Sequence, residues 1–418
     1  MSRAERAIAL GAAGELKGTL RHIQAEAHNW RGMYKAGEHA GLEAMQLLPA
    51  ASTAWYATSG EVGVAQSRLG HAEGLDALGE TLLAMEPDLR AATVHAVACA
   101  RIATRLPSAG RLELAKKLLD RIDPVLQMKG DDPLVRAWAH RAYASYVASR
   151  GEAGTHIDHL RRSLEAFETI GDLRRSCAQR MNLGHGYLLV GAYALAETAL
   201  REAMITAQRV GLLNLASVAR HNLGLARAHL GAFEEARALE SEALRELKAQ
   251  GDVRQVTPAQ VYLSTIQLFA GDFDGAEETA RAAVGSAAAP AAKCLASATL
   301  ARVHLARISN PPPGQRSASE RDIREALMAA HDAKRLLDQT GGIDEGEALV
   351  RVVYAEALAH AGDHDAARAA IAEAFARLSA RAAALSDPEM RASFLERVPE
   401  NARTVELSRV WLGLNEAT

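Results

Sequence analysis

The chain has 418 residues, 49% of them hydrophobic but only 4% aromatic, so Ala and Leu must supply the apolar surface. A formal net charge of −3 gives no electrostatic footprint for nucleic acid or an anionic membrane. The three cysteines, Cys99, Cys177 and Cys294, lie far apart, which excludes a disulfide framework and metal-ligand spacing and points to buried free thiols.

At the N-terminus, Ala7-Ile8-Ala9-Leu10 is broken at once by Gly11 and Gly14, too short for a signal segment. No stretch of about 20 apolar residues follows to span a bilayer, and the expected compartment is the cytoplasm. Residues 1–60 read as an atypical first helical repeat, with Trp30 standing where a turn glycine is expected. From there a period emerges. Gly63 and Gly70 precede Ala103, Gly110 and Ala115, and then Ala144, Gly151 and Gly171-Asp172. In the centre Asn182-Leu183-Gly184 recurs as Asn222-Leu223-Gly224, and Gly191, Ala196, Ala203 and Gly211 recur as Gly231, Ala236, Ala243 and Gly251. Each interval there is 40 residues (222 − 182, 231 − 191), the mark of a repeat architecture. One unit reads as a helix with a small or apolar face (Met181, Gly184, Tyr187, Leu188), a turn at Gly191, and a second helix through Ala196, Leu200, Ala203 and Ala207. Gly211 then ends it as a left-handed cap.

Forward by 40, Leu263-Ser264, Gly271-Asp272-Phe273, Ala276 and Ala283 keep the register. The pattern returns at Ala355, Gly362-Asp363, Ala367 and Ala374, offset by a surplus that Asn310-Pro311-Pro312-Pro313-Gly314-Gln315 explains as an enlarged, non-helical loop (309–318). From Ser386-Asp387-Pro388-Glu389 a last segment, 386–418, reads as a C-terminal capping helix with Phe394, Leu395, Val398, Leu407, Val410, Trp411 and Leu412 as its apolar surface. The expected fold is all-α: a right-handed α-solenoid of about eight helical hairpins, with 61–385 as the superhelix.

Leu183-Gly184, Tyr187, Gly191, Ala196, Leu200 and Ala203 resemble the tetratricopeptide repeat (TPR), in a long form of about 40 residues rather than the usual 34 or so. The segments Ala44-Met45-Gln46-Leu47-Leu48-Pro49, Trp55-Tyr56 and Phe394-Leu395-Glu396-Arg397-Val398-Pro399-Glu400-Asn401 look like the C-terminal TPR regions of large bacterial serine/threonine kinases or ATPase regulators of the myxobacterial type. Their catalytic signatures are missing: there is no phosphate-cradling Gly loop, kinase catalytic-loop triplet or Gly-x-Ser-x-Gly elbow. No enzymatic activity, cofactor or metal is therefore expected. His156 and His159, at i and i+3, belong on that reading to an exposed polar helix face, not to a zinc site, which needs three or four converging ligands.

Asn182 and Asn222 should align along the concave surface, where Asn offers both donor and acceptor to an extended backbone. The resemblance implies the same role. Arg141, His185, His221 and Tyr262 should share that groove, while Arg180 and Arg220 fit ion pairs with adjacent helices. The expected function is a scaffold binding a peptide or protein segment in the groove. The alternative is a regulatory or sensor module of a bacterial signalling protein. Ala- and Leu-rich terminal faces leave room for a homodimer.

Overall fold

The computed structural model describes residues 2–88, 90–128, 132–310 and 319–413. Among the described residues every regular element is helical: α1 (Ser2–Ala9), α2 (Gly14–Trp30), α3 (Tyr34–Leu47), α4 (Thr53–Leu69), α5 (Ala72–Ala84), α6 (Ala92–Ala103), a short 3-10 turn (Pro107–Ala109), α7 (Leu112–Met128), α8 (Pro133–Ser149), α9 (Ala153–Ile170), α10 (Leu173–Leu189), α11 (Tyr193–Arg209), α12 (Leu213–His229), α13 (Phe233–Ala249), α14 (Val253–Phe269), α15 (Phe273–Ser286), α16 (Pro290–Ser309), α17 (Glu320–Thr340), α18 (Glu347–His360), α19 (His364–Ala383), α20 (Pro388–Glu396) and α21 (Pro399–Leu412). From α2 to α19 they form nine successive pairs. The proline-rich loop expected at 309–318 lies outside the described residues from 311 onward.

The local chemistry explains the punctuation. Gly171, Gly191, Gly211, Gly231, Gly251 and Gly271 all have φ between 70° and 83°, one at each helix end every 20 residues. In this left-handed region a Cβ is penalised. The helix crossing inside a pair is equally tight: a Cβ on Gly184 would stand 2.6 Å from Leu200 Cγ. Opposite these small residues, Ala196, Leu200, Ala203 and Ala207 are fully buried, as are Ala236 and Ala243 in the next pair. Alanine thus does the packing that the low aromatic content requires.

The chain divides into two compact units, Met1–Gln179 and Arg180–Thr418, the boundary falling inside α10. In the first unit the leading helices of the pairs, α2, α4, α6 and α8, pack side by side; in the second, α12, α14, α16 and α18 do. A core including Tyr56, Ile102, Leu118 and Phe167 fills the first unit, and one around Leu300, Val350 and Ile371 fills much of the second.

Two sequence expectations need correction. The turn after α2 is made by Gly32, with φ 73°, while Trp30 is the last helical residue. Trp30 is instead covered by the Arg174 and Arg175 guanidiniums, 5.7 and 5.9 Å from its ring centroid. The C-terminal segment is two helices, because Pro399 stops the chain continuing from α20 and opens α21 at its first turn. The Asp387 side chain caps α20 by accepting from the Glu389 and Met390 amides. α21 packs on α18 and α19. α20 reaches the first turn of the same unit: a Cβ on Gly191 would lie 2.8 Å from the Ser393 carbonyl oxygen, and Tyr193 donates its hydroxyl to the Arg397 carbonyl at 3.1 Å.

Candidate functional site

Five of the six expected groove residues lie in the second unit, on the leading helices of three consecutive pairs: Asn182 and His185 on α10, His221 and Asn222 on α12, and Tyr262 on α14. Tyr262 donates its hydroxyl to Glu345 Oε1 at 2.7 Å. His185 Nε2 stands 3.4 Å from Glu345 Oε2. The His221 ring stacks on Tyr262 with centroids 4.2 Å apart, and its Nδ1 bonds Glu240 Oε1 at 2.7 Å. Tyr262 and His185 therefore converge on one carboxylate of the chain itself, while His221 turns to another.

Glu345 comes from the irregular stretch 341–346 between α17 and α18, bracketed by Gly341, Gly342 and Gly346, all with positive φ. Nothing in the repeat pattern singles it out; the glycine bracket is the one signal available to the sequence. Burial disfavours the Glu345 charge, but the hydrogen bond and charge of His185 and the Tyr262 hydroxyl outweigh it and hold the carboxyl below the usual range. Burial likewise disfavours His185 protonation, and Glu345, assisted by Asp344, outweighs it and raises the imidazole above its ordinary value. The two shifts describe an ion pair.

Behind this layer lies a fully buried carboxyl. Glu240 is pushed upward by burial, with His221 pulling the other way, and its Oε2 has no hydrogen-bond partner among the described residues. It occupies the place of Leu200 one repeat earlier (240 − 40), against Gly224 as Leu200 lies against Gly184.

The two asparagines are not equivalent. Asn222 is buried and donates to the Met181 sulfur at 3.7 Å, whereas Asn182 is half-buried. Arg180 pairs with Glu202 at 2.9 Å, and Arg220 pairs with Glu246 and, at 3.7 Å, Glu242. The arginine column thus serves as struts between helices. Leu225 is core, and Phe269 packs on Ala228, Ala236 and Ile266.

Arg141 stands in the first unit, half-buried on α8. His156 and His159 diverge: His156 Nδ1 meets the Ala144 carbonyl at 2.8 Å, while His159 faces His140 at 3.0 Å and stacks on Tyr143. Burial, with His159 beside it, lowers His140 to about 4. All three cysteines are buried and free, and burial pushes the Cys99 thiol up to about 12. No described helix is long and apolar enough to cross a membrane.

No family model and no curated protein matches the sequence. Solved structures do. The chain is similar to NprR in complex with its cognate peptide NprX (TM-score 0.56, 12% identity, covering 85% of this chain and 98% of that one). It is similar to a Rap protein complexed with Competence and Sporulation Factor (TM-score 0.55, 13% identity, 86% and 100%). A third likeness is to a Signal Transduction ATPase with Numerous Domains (STAND) protein with a tetratricopeptide repeat sensor from Pyrococcus horikoshii (TM-score 0.55, 16% identity, 80% and 49%), so the chain spans about half the length of that protein. These likenesses establish a TPR-type helical-repeat fold.

Proposed function

We propose that this chain is a protein-interaction module that seats a peptide or protein segment on the leading-helix face of its second unit. A carboxylate of the partner would take the place held by Glu345, with Tyr262 and His185 as its donors. Asn182 would meet the partner's main chain beside it. One observation carries this reading: an irregular, glycine-bracketed stretch of backbone already lies on that face and is gripped through its carboxylate. A rigid surface that binds such a stretch loses little entropy of its own when another replaces it. That NprR and a Rap protein were solved with a peptide and with Competence and Sporulation Factor is in keeping with the reading. Arg141, in the other unit, is not assigned to this face.

The test is affinity capture from native lysate with wild-type protein, Tyr262→Phe and Asn182→Ala. Partners recovered by the wild type and lost from both variants, with unchanged helical circular dichroism, support the assignment; equal recovery by all three removes it.

A second reading is a sensor arm of a larger signalling protein, in keeping with the STAND protein of which the chain spans half. It predicts that a small ligand, rather than a peptide, raises the melting temperature of the chain.

A further inference from the structure

The 51 acidic residues slightly outnumber the 48 basic ones, so carboxylates are plentiful. In the second unit they are spent on arginines: Arg220 meets Glu246 and Glu242, Arg351 meets Glu347 and Glu373, and Arg403 meets Glu356 and Glu406. On the leading helices of the first unit a group of arginines stands close together. There Arg68 on α4, Arg101 on α6, Arg105 just beyond it and Arg141 on α8 belong to three successive pairs.

Their register follows from contacts on either side. Arg101 pairs with Glu61, which aligns α6 with α4; Arg105 is one helical turn past Arg101, and Arg68 two turns past Glu61. The Ser145 hydroxyl donates to the Thr104 carbonyl at 2.8 Å, which sets Arg105 beside the turn of α8 that begins at Arg141. Of these four arginines only Arg101 meets a carboxylate among the described residues. Glu61 serves Arg101 and also accepts from Asn29 at 2.9 Å, while the Arg101 guanidinium lies over Trp138 at 5.1 Å. Arg68, Arg105 and Arg141 have neither an ion pair nor a hydrogen bond to a carboxylate among the described residues. Arg68 lies over the Tyr34 ring at 5.8 Å. Arg105 Nε is shut off from solvent with no hydrogen-bond partner.

Gathering three unneutralised guanidiniums on a partly buried face is costly, because each charge is desolvated and repelled by the others. Burial, then the charges of Arg68, Arg141 and Arg101, lowers Arg105 to about 9; burial and Arg68 lower Arg141 to about 10. Both therefore stay cationic at neutral pH. Such a cost is characteristic of a place prepared for a ligand rather than for stability. Three cations exceed what one carboxylate neutralises, whereas a phosphate monoester brings nearly two charges and three oxygens, matched to planar guanidinium forks.

We propose that Arg68, Arg105 and Arg141 form a binding site for a phosphate monoester. Arg105 and Arg141 supply the forked donors, and Arg68, the exposed member, closes on the anion from the solvent side. The site lies wholly within the first unit.

The experiment is isothermal titration of the full chain with inorganic phosphate, phenyl phosphate and glutarate at constant ionic strength. The expected result is saturable binding of both phosphates, with glutarate weaker by about tenfold or more. Arg105→Met and Arg141→Met should each weaken phenyl phosphate by at least about tenfold, and Glu345→Ala should leave it unchanged. Because the two Arg→Met variants remove repelled charges, they should melt no lower than the wild type. Arg68→Ala, at an exposed position, provides a third variant with a several-fold loss expected. Non-saturable binding, glutarate as tight as the phosphates, or affinity unmoved in all three variants would overturn the proposal. Phenyl phosphate bound at least as tightly as inorganic phosphate supports an ester; inorganic phosphate bound clearly tighter would overturn the ester assignment.

Discussion

Replacing Glu345 with Gln keeps the size of the side chain and its acceptor for Tyr262, and removes only the charge. A hydrogen bond to a charged group is worth about 1.5–3 kcal/mol, against about 1 kcal/mol for a neutral one. The His185 contact is long, at 3.4 Å, and both side chains are about a third exposed, so screening reduces its share to about 0–1 kcal/mol. Glu345→Gln should therefore cost roughly 1 kcal/mol. The cost must also depend on pH. His185 is raised above its ordinary 6.5, so its stabilising share is complete below 6.5 and is lost as pH rises through its folded value. Glu345 is lowered below 4.5, so its share is complete above 4.5 and is lost as pH falls through its folded value. The difference between wild type and variant should peak between those two values. Urea unfolding of both proteins at about pH 5.5 and pH 8.5 measures it, with the larger gap expected at the lower pH. Equal gaps at the two pH values, or none, would refute the ion-pair account of this contact.

Four further outcomes follow. Glu240→Leu alone leaves the buried His221 Nδ1 without its partner and should destabilise by about 1–3 kcal/mol, whereas His221→Met with Glu240→Leu copies the Met181 and Leu200 arrangement and should recover all or more of that loss; thermal melts of the cycle decide it, and a double mutant no better than the single would contradict the reasoning. Leu200→Ala, at a fully buried site against Gly184, should cost about 2–5 kcal/mol by urea unfolding. His229, lowered to about 4 by burial and the Arg302 charge while stacked on Tyr193, favours the fold only when neutral, so stability should fall as pH drops from 6.5 toward 4, and His229→Leu should flatten that slope. The buried thiols should resist a disulfide reagent in the native protein and react at once in denaturant.

The repeat was readable because its grammar is steric. A helix end that needs positive φ calls for Gly191, Gly211 and Gly231 at fixed intervals, and a tight crossing calls for Gly184 against Leu200. Where the interval slips, the reading slipped with it. Gly32 lies 38 residues before Gly70, so a strict period of 40 lands on Trp30. The break at Pro399 was visible in principle, since a proline cannot continue a helix without losing a hydrogen bond. Glu345 was hidden because it belongs to no repeat and meets Tyr262 across 83 residues of sequence. The arginine cluster was hidden twice over: net charge averages it away, and its members are spaced by 37 and 36 residues (105 − 68, 141 − 105), off the main period. Asn182 and Asn222 share a sequence position but not a burial: Asn222 is buried against the Met181 sulfur, whereas Asn182 is half-buried.

The face that holds Glu345 is tested most directly by selecting from a displayed random-peptide library on immobilised wild type, Glu345→Ala and Tyr262→Phe. Emptying the face should strengthen selected peptides by roughly tenfold, the equivalent of about 1.4 kcal/mol released from the internal contact. Those peptides should carry a carboxylate at a shared position and should lose affinity for Tyr262→Phe. Peptides that bind all three proteins equally, or that share no acidic position, would contradict the assignment.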